Sequence, residues 1–82
     1  MSGTQKALLL AMLERNLELI LTFMDEESKA EKEEELGHYI DAAVSFIERE
    51  GVSLDFDDIS DCTLVVMYAS WIYEKRRDPS AR

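Results

Sequence analysis

The sequence predicts an all-α fold, a small three-helix bundle with short loops whose third helix is long and mostly apolar. Apolar residues recur at three- and four-residue steps in three segments, which is the helical period. Only 3 glycines and 1 proline interrupt the chain, mostly where a helix is expected to start or end, and no segment has convincing strand character. A chain of 82 residues suits one domain, so residues 1–82 are predicted to form a single helical unit.

The first helix is predicted at about residues 5–22. Thr4 precedes it and can act as the N-cap, because its hydroxyl can accept a hydrogen bond from a backbone N–H of the first turn. The apolar stripe of this helix follows at helical spacing and consists of Leu10, Leu13, Leu17, Ile20 and Met24. The segment "TFMDEES" fits either a loop or a frayed last turn, so the residues alone leave the end of the helix open.

The second helix is predicted at about residues 27–50. Its first turns are mostly charged, and acidic side chains there complement the positive end of the helix dipole. Gly51 follows the helical pattern and is expected to end it as a C-cap glycine. Gly37 lies inside the pattern, where we expect close packing against a neighbouring helix. The apolar stripe consists of Leu36, Tyr39, Ile40, Ala43, Phe46 and Ile47.

The third helix is predicted at about residues 57–77. Asp57 or Asp58 can cap its start, and Asp61 adds negative charge to the first turn. Asp78 and Pro79 are expected to stop it, since proline disfavours helical geometry in the residue before it. The last turn carries three cations, which the negative end of the dipole favours: Lys75, Arg76 and Arg77.

The charge of the chain limits the classes of partner. With 9 basic and 18 acidic residues the formal net charge is −9, which disfavours a general role in binding nucleic acid. One cysteine excludes an intramolecular disulfide. No apolar run reaches the roughly 18–20 residues needed to span a bilayer, so we expect no membrane insertion. The first apolar run lacks the layout of a secretory signal, so we expect no export.

The residues that could carry chemistry form no convincing site. The aspartates at 55, 57, 58 and 61 do not match a calcium-binding loop, because the required glycine and glutamate are missing, and helix capping accounts for them better. His38 stands four residues after Glu34 but has no further metal ligands at a recognisable spacing. Cys62 with His38 would lack an orienting group and an oxyanion site. We therefore predict no enzyme, no metal and no cofactor.

The third helix has more apolar surface than two neighbouring helices are expected to cover. Its polar residues form a narrow line at helical spacing, Thr63, Ser70, Glu74 and Arg77, and Met67 falls in the same line. A surface helix usually buries a stripe only somewhat wider than about 100°. Two interpretations remain open on this ground. Either the helix lies at a subunit boundary, or it is the central helix of the bundle, enclosed by its partners.

Three segments together resemble the head–tail connector (adaptor) proteins of tailed bacteriophages and prophages. They are "LERNLEL" at residues 13–19, "YIDAAVSFIEREGVSLD" at residues 39–55 and "DCTLVVMYASWIYEKRR" at residues 61–77. The last segment is the most distinctive, with an aliphatic run, then Tyr-Ala-Ser-Trp-Ile-Tyr, then a basic end. The resemblance covers most of the chain and consists of packing patterns rather than catalytic motifs.

The resemblance implies a homo-oligomeric ring beneath the portal protein of the virion. Such a ring extends the DNA channel and offers a platform to tail-completion proteins, and it is assembled in the bacterial host cytoplasm. DNA would pass through without sequence-specific binding, and no enzyme activity or cofactor is implied. On this interpretation the core and subunit contacts are made by Leu64, Val66, Tyr68, Trp71 and Tyr73.

We also predict charge contacts between neighbouring subunits of the ring. A head-to-tail interface that closes on itself generates a ring, and opposite charges at its two sides would favour it. The predicted partners are Glu33 and Glu34 on the second helix and Lys75, Arg76 and Arg77 at the end of the third. The alternative function is a small acidic helical adaptor or regulator that binds a host protein through the third helix.

Overall fold

A computed structural model describes residues 1–19 and 24–77 of the chain. Three helices make up most of this part: α1 (Gly3–Asn16), α2 (Glu26–Arg49) and α3 (Ile59–Arg77). Each helix contacts the other two, and no strand occurs among the described residues. The predicted all-α three-helix bundle is confirmed. None of the helices in this part of the chain is long and apolar enough to cross a membrane.

The start of α1 corrects the predicted N-cap. Ser2, not Thr4, occupies that position, and its Oγ accepts a hydrogen bond of 3.1 Å from the backbone N–H of Gln5. The Gln5 side chain in turn accepts one of 2.8 Å from the backbone N–H of Ser2. This reciprocal pair is a capping box and satisfies two donors that a helix start otherwise leaves free. The helix therefore begins at Gly3, two residues earlier than predicted.

The end of α1 also differs from the prediction, which extended the helix to residue 22. The helix ends at Asn16, and Glu18 adopts the left-handed conformation with φ 57°. The backbone N–H of Glu18 donates to the carbonyl of Arg15, and that of Leu19 to the carbonyl of Glu14. These two bonds form a Schellman motif, which stops a helix and satisfies its last carbonyls. Residues 20–22 of the predicted helix lie outside the described residues.

The boundaries of α2 lie within one residue of the prediction. Asp25 caps its start, because its carboxylate accepts a hydrogen bond of 2.7 Å from the backbone N–H of Ser28. At the other end, Gly51 has φ 92° and donates its N–H to the carbonyl of Glu48. Only glycine adopts such a backbone conformation without strain, which confirms the predicted role of Gly51.

The loop before α3 is held by its aspartates. Asp58 caps the helix, because its carboxylate accepts a hydrogen bond of 2.8 Å from the backbone N–H of Ser60. The carboxylate of Asp61 accepts one of 2.8 Å from the backbone N–H of Asp55. The helix starts at Ile59, two residues later than predicted, and ends at Arg77 as predicted. The predicted stop at residues 78 and 79 lies outside the described residues.

One continuous apolar core joins the three helices. Its members come from α1, α2 and α3 and are Leu9, Leu13, Leu36, Ile40, Ala43, Ile47, Cys62, Val65, Val66, Ala69 and Tyr73. Gly37 lies beside this core and is buried, with the side chain of Lys6 across it. Only the end of this flexible side chain lies within 4 Å of an added Cβ, so the expected close packing of a neighbouring helix against Gly37 is not found. The loop after α2 returns to the core through Leu54 and Phe56, which pack against it.

Candidate interaction surface on the third helix

One face of α3 exposes large apolar side chains to solvent. The exposed fractions are 36% for Leu64, 61% for Met67, 38% for Tyr68 and 54% for Trp71. These four residues, which we call the α3 strip, recur at steps of three, one and three and therefore share one face of the helix. The opposite face carries Val65 and Ala69, which are fully buried. The helix is thus apolar on both sides, although only one side has a neighbour among residues 1–19 and 24–77.

The α3 strip lines a shallow groove. Its volume is ≈ 340 Å³, and its lining consists of the four strip residues. A second groove of ≈ 330 Å³ adjoins it and shares Met67, with further lining from Met12, Arg15, Asn16, Thr63 and Val66. The apolar surface therefore continues from α3 towards the end of α1. Large apolar side chains clustered on one face are the usual mark of an interaction site rather than of a surface that faces water alone.

The structure divides the predicted interface and core residues into two groups. Val66 and Tyr73 belong to the core, with exposed fractions of 4% and 6%. Leu64, Tyr68 and Trp71 lie in the α3 strip. Sequence reasoning missed Met67 as a site residue, because it falls in the same line as the polar residues of the helix. That line does face solvent, so the position of Met67 within it was the sequence signal that could have placed Met67 on the exposed face.

The arrangement argues against one of the two interpretations of the third helix, that of an enclosed central helix, and leaves the subunit boundary untested. A central helix would be enclosed by its partners, whereas α3 contacts both α1 and α2 and still exposes its strip. The prediction that two neighbouring helices do not cover this helix is confirmed for the described part of the chain. What covers the strip in an assembly stays a prediction.

A polar cleft lies between α2 and the C-terminal end of α3. Its volume is ≈ 260 Å³, and it is lined by Lys32, Glu35, Tyr39, Tyr73 and Arg76. Lys32 Nζ donates to Glu35 at 3.1 Å and lies 5.4 Å from the centre of the Tyr73 ring. The hydrogen bond to Glu35 raises the pKa of Lys32. The rings of Tyr39 and Tyr73 meet edge to face, 5.7 Å apart, so this cleft joins the two helices.

Two of the basic residues predicted to contact another subunit lie over aromatic rings of their own chain. Lys75 Nζ is 4.7 Å from the centre of the Trp71 ring, and the Arg76 guanidinium is 6.0 Å from that of Tyr39. Both distances suit cation–π contacts, which are worth about 0.5–1 kcal/mol at exposed sites. The side chain of Arg77 lies outside the described part of the structure. Their contact with another subunit stays a prediction.

The predicted acidic partners lie on α2. Glu34 is exposed, and its Oε1 lies 3.9 Å from Nε2 of His38 one turn later. Glu33 is partly buried and faces Glu14 of α1. Burial, and then the charge of Glu33, raise the pKa of Glu14. Of the two predicted residues, Glu34 is therefore the more accessible to a partner.

The contacts of the residues considered for metal or nucleophile chemistry indicate structural roles. No group of three or more possible metal ligands occurs in residues 1–19 and 24–77. Cys62 is buried, and its Sγ donates to the carbonyl of Phe56 at 3.2 Å. Burial raises the pKa of Cys62, and the charges of the loop aspartates raise it further. A raised thiol pKa is the reverse of what a cysteine nucleophile needs.

Comparison of the chain with protein-family models, with curated proteins and with solved structures gave no match.

Proposed function

We propose that the chain is a structural subunit of the head–tail connector of a tailed bacteriophage, and that it assembles as a ring beneath the portal. One observation carries the proposal. The most distinctive segment of the resemblance, residues 61–77, coincides with α3, and α3 exposes four large apolar side chains on one face. A segment that serves only the core would not present such a face.

The α3 strip has the composition of an interface centre. Trp71 and Tyr68 are residue types that are enriched where interfaces bury their energetically dominant side chains. Truncation of such a residue typically costs about 2 kcal/mol or more of binding free energy. The adjoining groove towards α1 enlarges the apolar area available to a neighbouring subunit. The strip is proposed to lie against the next subunit of the ring or against the portal.

The charge of the chain suits a passage for DNA. A net charge of −9 repels the phosphate backbone, so a ring of such subunits would let DNA move through without holding it. The proposed role requires no catalysis and no cofactor. Assembly would take place in the cytoplasm of the bacterial host, and the finished ring would stay in the virion with its portal and tail-completion partners.

If a portal gene lies beside the gene of this chain, as the proposal expects, co-expression with that portal protein tests the proposal. We expect the two proteins to purify together and electron microscopy to show an added ring on the portal. The variant Trp71→Ser should lose this ring, whereas Phe46→Ser should keep it. Phe46 is a matched control, because it is also half-exposed and also has a cation, Arg49, over its ring, but lies on α2. A chain that never purifies with a portal contradicts the proposal.

One feature favours the alternative function, an acidic adaptor that binds a host protein through α3. Met67 is the most exposed residue of the strip, and methionine side chains adapt to differently shaped partners. An adaptor would bind a host protein with the strip and leave the portal unbound. The co-expression experiment therefore separates the two functions, since only the connector adds a ring to the portal.

A further inference from the structure

Charge is distributed unevenly along the axis of α3. Asp57, Asp58 and Asp61 lie at or just before its start, whereas the last turn carries Lys75 and Arg76 together with one acidic residue, Glu74. The α3 strip occupies the middle, with its centre between Met67 and Tyr68. The helix thus runs from an acidic end, across an exposed apolar centre, to an end at which the cations outnumber the single carboxylate.

This order makes the exposed face of α3 complementary to itself when two copies run antiparallel. The acidic end of each helix then lies beside the basic end of the other, and the two helix dipoles, which point in opposite directions, attract each other. A parallel pair would instead join acid to acid and base to base. With about 3.6 residues per turn, Lys75 and Asp61 lie on the same side of the strip, so each Lys75 would face Asp61 of the other copy.

We propose that two free copies of this chain pair through their α3 strips in an antiparallel, two-fold arrangement. The two-fold axis passes between Met67 and Tyr68, so Leu64 of one copy packs against Trp71 of the other. This pairing goes beyond the proposed function and does not depend on it, because it follows from the strip and the charges at its two ends.

A two-fold contact closes on itself. Each copy uses the same surface, so a third copy cannot add through the strip. If the chain is a connector subunit, the pair and the ring compete for the same side chains, and the pair would hold subunits in reserve until a portal is present. This consequence, unlike the pairing, rests on the proposed function.

The mass and the orientation of the pair test the inference in the purified chain. Light scattering should give twice the chain mass of 9.4 kDa at micromolar concentration, and Trp71→Ser should raise the dissociation constant at least tenfold. The matched variant Phe46→Ser should leave the dissociation constant unchanged. Circular dichroism would show that each variant stays helical.

Cysteine crosslinking tests the orientation in a Cys62→Ala background. Ser60→Cys and Glu74→Cys lie at opposite ends of the exposed face of α3, and a short bis-maleimide should link a chain carrying one to a chain carrying the other. Links between two Ser60→Cys chains would show a parallel pair and overturn the inference. A monomer at every concentration, or growth beyond two copies, would also overturn it. Portal binding plays no part in these measurements, so their failure and failure of the proposed function are distinguishable.

Discussion

Replacing Gly37 with alanine is expected to leave the free energy of unfolding unchanged or to raise it by up to about 1 kcal/mol. Gly37 is buried in the interior of α2, where glycine is less favourable than alanine by about 0.5–1 kcal/mol, because it loses more conformational freedom on folding. The helix therefore gains from the substitution, provided that the new methyl group fits.

The surroundings of Gly37 determine the sign of the effect. An added Cβ would lie 3.4 Å from Cε and 3.7 Å from Nζ of Lys6. These atoms form the far end of a flexible side chain, which can move by a few tenths of an ångström at little cost. The movement would weaken the 2.9 Å ion pair between Lys6 and Asp41, which is partly exposed and worth about 0–1 kcal/mol. The gain in helix propensity therefore equals or exceeds the loss.

Urea unfolding, followed by far-ultraviolet circular dichroism, measures the change. The Lys6→Ala variant serves as the second background, since it removes the ion pair and the side chain across Gly37. There, Gly37→Ala should show the full gain in helix propensity. A loss of more than about 1 kcal/mol in the free energy of unfolding in both backgrounds would refute the reasoning. The contact between α1 and α2 would then require that position 37 carry no methyl group.

Three further predictions concern packing, pH and backbone geometry, each measured by urea unfolding. Leu13→Ala should lower the free energy of unfolding by about 2–5 kcal/mol, whereas Leu8→Ala, half-exposed on the same helix, should lower it far less. Glu14→Gln should stabilise the fold at pH 7, because burial and a neighbouring carboxylate raise the pKa of Glu14 and its charge therefore costs stability. That advantage should shrink as the pH falls through the raised pKa and vanish below the ordinary value of 4.5. Glu18→Gly should stabilise by about 1 kcal/mol and Gly51→Ala should destabilise by a similar amount, because both positions have positive φ.

Each of these predictions has a contradicting result. Equal losses at Leu13 and Leu8 would mean that the two faces of α1 are not distinguished by burial. If the gain in stability from Glu14→Gln grew as the pH falls, folding would have to lower the pKa of Glu14 rather than raise it. A destabilised Glu18→Gly variant would contradict the left-handed conformation at the end of α1.

The fold could be predicted where the sequence carries a local signal for each boundary. The glycine at 51 marks the end of α2, and Asp58 before the apolar run marks the start of α3. The end of α1 lacks such a signal, because Glu18 occupies a left-handed position that glycine usually fills. The helical spacing of Leu17 and the residues after it then favoured a longer helix.

The sequence does carry a signal for the start of α1, but the prediction overlooked it. Ser2 and Gln5 have the three-residue spacing of a capping box, which identifies a helix start from sequence alone. Thr4 offered a plausible hydroxyl closer to the apolar stripe. A capping box also needs a glutamine or glutamate three positions after the capping residue. Ser2 has Gln5 at that spacing, whereas Thr4 has Ala7, so the spacing distinguishes the two candidate N-caps.

The sequence was enough to predict that part of the apolar surface of α3 is exposed, but not which residues form that part. Periodicity showed that α3 has apolar residues on nearly every side, which is enough to predict an exposed remainder. It did not show which residues remain exposed, because that depends on the directions from which α1 and α2 approach. Val66 and Tyr73 therefore belong to the core, and Met67 belongs to the surface.

The central claim is that the exposed apolar face of α3 seeks contact beyond its own chain, and fluorescence of Trp71 tests it most directly. Trp71 is the single tryptophan and is 54% exposed in one chain. Acrylamide quenching, measured across a concentration series alongside sedimentation, should show an accessible indole in the monomer and a shielded, blue-shifted one as the chains associate. A tryptophan already shielded in the monomer, or one that stays accessible at every concentration and with the portal present, would contradict the claim.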